Sequence, residues 1–536
     1  MMHSQQPKWK KPRGYLHLSP NLSASAIPKL LKQKVENPDY VARHAFMPLL
    51  HVVLRQRRFK AEKGSNRKAH SHKNKKTGAV KSTAKDRPLH YAAHVDALIF
   101  GSYAEQLSEK YEAKLAANRL LNDAITAYRR IPIPENPLKN KNTIHFAKEV
   151  FEEIKKRCAA FGECTVMAFD IKSFFSSLNH NRLKAEWAKL IGLERLPKDH
   201  FNVFKAATQF SYIYLKDLKT GTKGGWDEAA LEKIRRENGY SSLFASYKDF
   251  REQLAQKKFR LHKYPFRHKD TKEPIGIPQG LPISTVLANV YLGAFDENMI
   301  SALVIGRGAF YRRYSDDIVV ISECSDVDFV EALVKSGIEN CDLGISTEKT
   351  EVFKFRHTGT YNGKPIITCS IRQEDGSYKS GKGFSYLGFT FNGRHVLIKT
   401  ANVSKYYRKL IQSVQAKSRL AWIAHEKNPT IGPALYTRQL LRLIEDRKQQ
   451  HSKVKMHFKH LRKTDLHGYQ YHDKKSQREN KEGKKPAKAK GSFLSYAKRA
   501  SVIMEEPAIE KQIRNRRKIL GQAINRHFLQ KHKGEG

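Results

Sequence analysis

Carboxylates at the ends of apolar strands constrain this chain more than any other feature. The run at residues 165–171 (TVMAFDI) is short and apolar and carries Asp170 near its end; residues 309–322 (AFYRRYSDDIVVIS) set two apolar or aromatic arms around a polar Ser315-Asp316-Asp317 tip. The first reads as a strand and the second as a β-hairpin. Adjacent aspartates repel each other, and the neighbours Phe169, Ile171, Ile318 and Val319 offer no neutralising partner. Burial nearby is therefore costly without a cation. A hard divalent ion, Mg²⁺ or Mn²⁺, removes the conflict, because it takes oxygen ligands, keeps waters and accepts phosphate oxygens. Two such ions about 4 Å apart can clamp an in-line phosphoryl transfer. A solvated hairpin turn is the plain alternative for paired aspartates, so the decision falls to what else the chain carries.

Around these runs, Leu107, Tyr111, Leu115, Leu121, Ile125 and Tyr128 recur at helical spacing, as do Phe146, Val150, Phe151 and Ile154, and each set predicts a core-facing helix. Phe329, Val330, Leu333 and Ile338 predict another, followed by a turn at Gly344 and a strand at residues 351–355. Strand and helix signals alternate from 165 to 400, which indicates a mixed α/β or α+β sheet layer. After residue 401 the spacing of Leu410, Ile411, Val414 and Ala421 is helical, and strands are expected to cease. Residues 60–87 and 472–491 hold almost no large apolar side chains and read as linkers or mobile loops.

Charge is segregated along the chain. Residues 1–90 hold 21 Lys and Arg against 4 Asp and Glu, and residues 401–536 hold 33 against 11, so the ends carry +17 and +22 while the middle carries only +9. Basic flanks fit a polyphosphate partner, since each neutralised phosphate releases condensed counterions. Nucleic acid is favoured over an acidic membrane, because no amphipathic or lipidation signal accompanies the charge. The 536 residues suggest three or four domains, and 40% apolar content excludes wholesale disorder. The first residues lack the apolar core of a secretory signal, and no run approaches the roughly 18 apolar residues of a membrane span, so a soluble, unexported, cytoplasmic protein is expected. Five cysteines without a CxxC pair argue against a disulfide framework or a structural zinc site. His90 and His94 stand at i, i+4 but lack an evident third ligand, which favours structural or RNA-contacting histidines over a metal pair.

The motifs and their order resemble those of the reverse transcriptases across about 300 residues. Asp170-Ile171-Lys172-Ser173-Phe174-Phe175 resembles motif A, Gly276-Ile277-Pro278-Gln279-Gly280-Leu281-Pro282-Ile283-Ser284 motif B, and Tyr314-Ser315-Asp316-Asp317 motif C. Leu343-Gly344-Ile345-Ser346-Thr347-Glu348-Lys349-Thr350 is similar to motif D, and Phe384-Ser385-Tyr386-Leu387-Gly388-Phe389 to the motif E primer grip. The resemblance implies an α+β right-hand polymerase. Its fingers would occupy residues 91–164 and segments inserted in a palm at 165–400. A helical basic thumb and RNA-binding region would follow at 401–536, and a basic N-terminal extension at 1–90, with a flexible loop at 60–87, would precede them.

The resemblance also implies roles. Asp170 and Asp316 would hold two Mg²⁺ ions, or Mn²⁺ in their place, with the Ile171 carbonyl assisting and Asp317 as an outer carboxylate. Lys349 would give a proton to leaving pyrophosphate, with an ordinary surface lysine as the alternative. Phe175 matches the steric gate that excludes a ribose 2′-hydroxyl; RNA-dependent RNA polymerases usually have an aspartate at that spacing. Phe174, by strand alternation, would pack as core. Gly276 and Gly280 would let backbone approach a base pair, Pro278 would stiffen the segment, and Gln279 would hydrogen-bond template or nucleotide. Tyr386, Leu387 and Gly388 would grip the primer, and Arg129 and Lys139 are candidates for triphosphate contacts. Alternation lets only one of Arg312 and Arg313 face the cleft.

Retroviral, telomerase and group II intron enzymes look less similar, since no RNase H-like or zinc-bearing HNH segment follows the expected thumb. Residues 89–103, 142–154 and 493–500 resemble bacterial defence-associated reverse transcriptases, which implies antiphage activity with a noncoding RNA as template or scaffold. The expected activity is RNA-directed DNA synthesis from deoxynucleoside triphosphates, with RNA and the DNA product as partners, no membrane, and self-association left open. Protein-primed or untemplated DNA synthesis, and an RNA-binding scaffold on a polymerase fold, are the alternatives.

Overall fold

The structure is a computed structural model and describes residue 10 and residues 13–20, 22, 26–56, 60–61, 68–69, 85–218, 242–244, 246–361, 363–430, 432–444, 458–464, 468–474 and 492–530. Helices and mainly antiparallel sheets make it α+β. The chain divides into two compact units, each assembled from separated stretches of sequence.

The first unit comprises Met1–Arg129, Ala168–Val320 and Asp326–Thr350. Its small sheet pairs Leu49–Gln56 antiparallel with Lys85–Tyr91 and parallel with Tyr212–Tyr214. The core cluster of Leu18, Leu50, Ile213, Phe244, Phe250 and Phe259 packs there. Helix His94–Ala116 buries Leu98, Ile99, Phe100, Leu107 and Leu115. The periodicity that predicts one helix through Tyr128 is broken at Asn118, whose side-chain oxygen accepts from the Leu121 N–H at 3.1 Å and starts a new helix, Arg119–Ala124. An asparagine that caps gives the backbone an alternative to continuing the helix. Ile125 then pairs with Arg313 in a β-bridge, and Tyr128 adopts a left-handed conformation with φ of 64°. Strand Glu163–Asp170 ends in this unit, beside the hairpin arms Asp317–Ser322 and Phe310–Tyr314.

The second unit comprises Arg130–Met167, Ile321–Ser325 and Glu351–Gly536. Helix Thr143–Phe161 buries Phe146, Val150, Phe151 and Ile154 as its spacing predicts, is capped by Asn142, and stops at Gly162, whose φ is 79°. Glu351–Tyr361 pairs antiparallel with Lys364–Arg372, and that strand with Tyr378–Ser380. Phe384–Tyr386, Phe389–Phe391 and Val396–Ile398 form a meander. Helix Thr400–Lys427 then packs Leu410, Val414 and Trp422 with Leu440, Leu520 and Phe528.

Strands do not cease after residue 401: Phe458–Thr464 pairs with Gly468–Lys474. Tyr469 and Tyr471 alternate with polar residues, a period-two signal that lies under heavy charge. The linker expected at 60–87 includes the short ladder Lys60–Ala61 with Lys68–Ala69 and the start of Lys85–Tyr91; the one at 472–491 includes the end of Gly468–Lys474. The remaining residues of both lie outside the described ones. Among the described residues no helix is long and apolar enough to cross a membrane.

Candidate active site

Backbone pairing brings the acids together. Asp170 is the last residue of its strand, and the next N–H, of Ile171, donates to the Asp316 carbonyl at 3.1 Å. On the other side the Ser346 N–H donates to the Asp170 carbonyl at 2.8 Å and the Lys172 N–H to the Gly344 carbonyl at 2.7 Å. Both bonds skip the Ile171 carbonyl. The hairpin tip is tight: Ser315 is buried with φ of 62°, Asp316 is half-buried, and Asp317 is exposed at the start of the second arm.

The charges are not in balance. Burial pushes the Asp316 carboxyl above its ordinary pKa, and the Asp170 charge pushes it the same way, against hydrogen bonds and Lys349. The Lys349 ammonium, on the turn Thr347–Lys349, pairs with the Asp170 carboxylate. The pair of acids thus already draws in one cation. Among the described residues no group of three or more His, Cys, Asp or Glu side chains converges, so Asp317 does not complete a triad with Asp170 and Asp316. Asp316 lies in the turn and is half-buried, whereas Asp317 begins the second arm and is exposed. Two carboxylates beside a backbone carbonyl form an all-oxygen donor set that suits Mg²⁺ or Mn²⁺, whose other ligands are water and phosphate.

Residues 240–391 match the family model described as reverse transcriptase (RNA-dependent DNA polymerase). The chain carries a reverse transcriptase domain. Such a domain is that of an RNA-directed DNA polymerase, a nucleotidyltransferase. The matched segment of the reverse transcriptase domain includes Gln279, Asp316, Asp317 and Lys349, whereas Asp170 and Phe175 precede it. No curated protein sequence matches the chain significantly. Among solved structures it is similar to apo telomerase from Candida tropicalis truncated of its C-terminal domain, at 12% identity and TM-score 0.35, over 59% of this chain and 53% of that one. It is also similar to telomerase from Candida albicans in complex with a fragment of telomeric RNA, at 12% identity and TM-score 0.35, over 73% and 54%. The chain thus spans about half the length of these telomerases.

Just before the matched segment of the reverse transcriptase domain, Phe174 is buried, as expected but for a different reason, and Phe175 is half-buried. The strand has ended; Ser173 takes a left-handed φ of 52° and Phe174–Ser177 is a helical turn, in which the two rings lie 5.5 Å apart and tilted by 60°. The Phe175 carbonyl accepts from the Ile277 N–H at 2.7 Å, which ties motif A to motif B. Gly276 and Gly280 allow close approach, but to the chain itself. A Cβ on Gly276 would lie 2.5 Å from the Ser176 backbone, and one on Gly280 would lie 2.6 Å from the His90 carbonyl oxygen. The Gln279 carbonyl accepts from the His90 N–H at 2.7 Å, while its side chain is half-buried and makes no hydrogen bond among the described residues. Pro278 is buried, and its carbonyl accepts from the Ser284 hydroxyl at 2.6 Å. His90 bonds His51 at 2.9 Å and His94 stacks on His17 at 3.5 Å, both as structural rings.

Arg129 is withdrawn from a triphosphate role. Its side chain is only 4% exposed and is held by the Glu112 carboxylate and by the carbonyls of Asn122 and Ile125. Lys139 stands exposed on strand Asn136–Asn140 of the second unit. In that unit Leu387 and Gly388, with φ of 44° and 91°, form the two-residue turn after buried Tyr386. Of the arginine pair, Arg312 is half-buried with its guanidinium 4.2 Å from the Phe310 ring centre, and Arg313 is fully buried. Sequence reasoning missed Tyr128 as a site residue: its hydroxyl lies 3.0 Å from the Ser315 hydroxyl. Burial raises its phenol pKa, and the charges of Asp316 and Asp317 add to the rise.

Proposed function

We propose that this protein is an RNA-directed DNA polymerase that extends a DNA chain with two divalent ions, Mg²⁺ or Mn²⁺, held by Asp170, Asp316 and the Ile171 carbonyl. The observation that carries the reading is the Ile171–Asp316 backbone bond, which brings together stretches of chain 146 positions apart so that the Asp170 charge acts on the Asp316 carboxyl. When bound, such ions lower the pKa of a primer 3′-hydroxyl and neutralise the triphosphate. The chain's own groups position the reactants. Lys349 supplies the proton for leaving pyrophosphate, Phe175 fills the space of a 2′-hydroxyl, Gln279 meets template or nucleotide, and the turn at Tyr386, Leu387 and Gly388 holds the primer. The architecture is read as a right hand, with fingers at 91–164, palm at 165–400 and a basic thumb at 401–536.

The biological setting proposed is bacterial antiphage defence with a noncoding RNA as template or scaffold. It is supported by the residue resemblances at 89–103, 142–154 and 493–500 and by the basic flanks. Purified full-length protein is expected to extend a primed RNA with dNTPs in Mg²⁺, and Asp316→Asn to reduce the rate by roughly a thousandfold or more. Undiminished extension by Asp316→Asn would remove the metal assignment. Sequencing of copurifying nucleic acid separates templated copying from untemplated or protein-primed addition.

A further inference from the structure

We propose that Arg313 is a positioning residue that sets the catalytic hairpin tip through the Ser315 carbonyl; this rests on the polymerase reading of Asp170 and Asp316. Arg313 and Asp296 are both 0% exposed. The guanidinium donates to the Asp296 carboxylate at 2.8 and 2.6 Å, and the Tyr311 hydroxyl donates to the same carboxylate at 2.7 Å. Asp296 belongs to helix Gly293–Met299, so the pair anchors the hairpin to a buried helix. The remaining arm of the fork donates to the Asn289 side-chain oxygen at 3.3 Å and to the Ser315 carbonyl at 3.2 Å.

That last bond is the informative one. Ser315 is the residue before Asp316 and is held in a left-handed conformation, which a non-glycine residue keeps only when its surroundings enforce it. The same arginine organises the opposite wall. Its carbonyl accepts from both the N–H and the hydroxyl of Thr126 at 3.1 Å, Asn289 donates to the Ala127 carbonyl at 2.9 Å, and the segment ends at Tyr128, whose hydroxyl returns to Ser315. The Thr126 bonds come from the Arg313 backbone, whereas its side chain fixes the tip from beneath and reaches the Ala127 carbonyl through Asn289. Stability alone does not require this, since well-packed apolar residues often replace a buried ion pair without loss. An apolar pair cannot donate to the Ser315 carbonyl.

The test uses the full-length protein with the double replacement Arg313→Met plus Asp296→Leu, and separately Arg313→Lys. Thermal melting, Mn²⁺ binding by electron paramagnetic resonance, and kcat and KM for dNTP on a primed RNA are measured for each. The double variant is expected to melt cooperatively near the wild-type temperature, to bind Mn²⁺ about tenfold more weakly, and to lose about 100-fold in kcat with KM for dNTP little changed, as a displacement of order 1 Å at a reacting centre does. Arg313→Lys keeps the charge opposite Asp296 without the fork and is expected to fall between. Wild-type Mn²⁺ affinity and kcat in a folded double variant would overturn the proposal. If the double variant does not fold, Arg313→Lys decides by the same two quantities, and wild-type values there overturn it. A wild-type protein that binds Mn²⁺ but does not extend the primer removes the polymerase reading, while the Mn²⁺ comparison still decides the positioning role. A wild-type protein that binds no more Mn²⁺ than Asp170→Asn overturns the proposal outright.

Discussion

Asp316 sits where its charge is unwelcome, and that has a measurable consequence. Burial and the neighbouring Asp170 raise its pKa, so the folded protein holds the Asp316 proton more tightly than the unfolded chain does. A raised acid contributes stability below its unfolded pKa and loses it as pH rises through the folded value. The metal-free protein is therefore expected to lose melting temperature as pH climbs from the acid range through that pKa, and Asp316→Asn to flatten the slope. At neutral pH the Asn variant should melt a few degrees above wild type while failing to polymerise. A scan of melting temperature against pH in chelator checks this, and a variant no more stable than wild type would contradict it. Phe175 carries a second expectation: Phe175→Ala should admit ribonucleotides, raising incorporation of rNTP relative to dNTP by about tenfold or more, since the gate proposed for this ring acts by sterics alone. Unchanged sugar discrimination would remove Phe175 as the gate. The acids were legible because a charge at the end of an apolar run is anomalous in one dimension. Arg313 and Tyr128 were not, because their meaning lies in Asp296, 17 positions away, and in Ser315, 187 positions away.

At the scale of elements, the segment carrying Gly276 and Gly280 is fastened by backbone bonds. The Gly276 N–H donates to the Leu178 carbonyl at 2.6 Å, its carbonyl takes a bond from His180 at 2.7 Å, and Ile277 and Gln279 are bonded to Phe175 and His90. With φ of 79° and the Ser176 backbone 2.5 Å from where a Cβ would stand, Gly276 has neither the conformation nor the room for a side chain. Gly276→Ala is expected to destabilise the protein by about 2–4 kcal/mol, because rigid backbone must move. Urea unfolding measures it, and a loss under about 1 kcal/mol would show that the segment yields. The glycines were visible in the sequence, but their purpose was not: a Gly-x-x-x-Gly spacing does not say whether a nucleic acid or the chain's own backbone comes close. The long periodic helices Thr143–Phe161 and Val327–Glu339 were legible from spacing, whereas the break at Asn118 shows only as a slip of phase, Leu121 standing about 120° around the helix from Leu115. The hairpin at Phe458–Thr464 and Gly468–Lys474 was hidden for a related reason, since lysines and arginines there obscure the alternation.

At the scale of the whole molecule, the decisive quantity is where the charge lies along the chain. The body from 91 to 400 carries +9 and contains Asp170, Asp316, Phe175 and Lys349, while the flanks carry +17 and +22. A uniform surplus would raise solubility without direction; on the proposed polymerase reading, a surplus concentrated outside the segment that holds the acids separates holding the nucleic acid from reacting with it. Phosphate contacts release counterions, so the logarithm of the RNA affinity should fall linearly with the logarithm of salt, by about 0.7 per contact on a single strand. Six or more contacts would give a slope of about −4 or steeper. Replacing Lys73, Lys75, Lys76 and Lys81, which lie between the strands Leu49–Gln56 and Lys85–Tyr91, by Gln is expected to flatten that slope while leaving sugar discrimination, proposed to belong to Phe175, unchanged. Filter binding across a salt series, together with dNTP and rNTP incorporation by the fourfold variant, reads both quantities at once. A variant with the same slope would mean that this basic segment does not grip phosphate, and one with altered sugar discrimination would mean that holding and reacting are not separable along this chain.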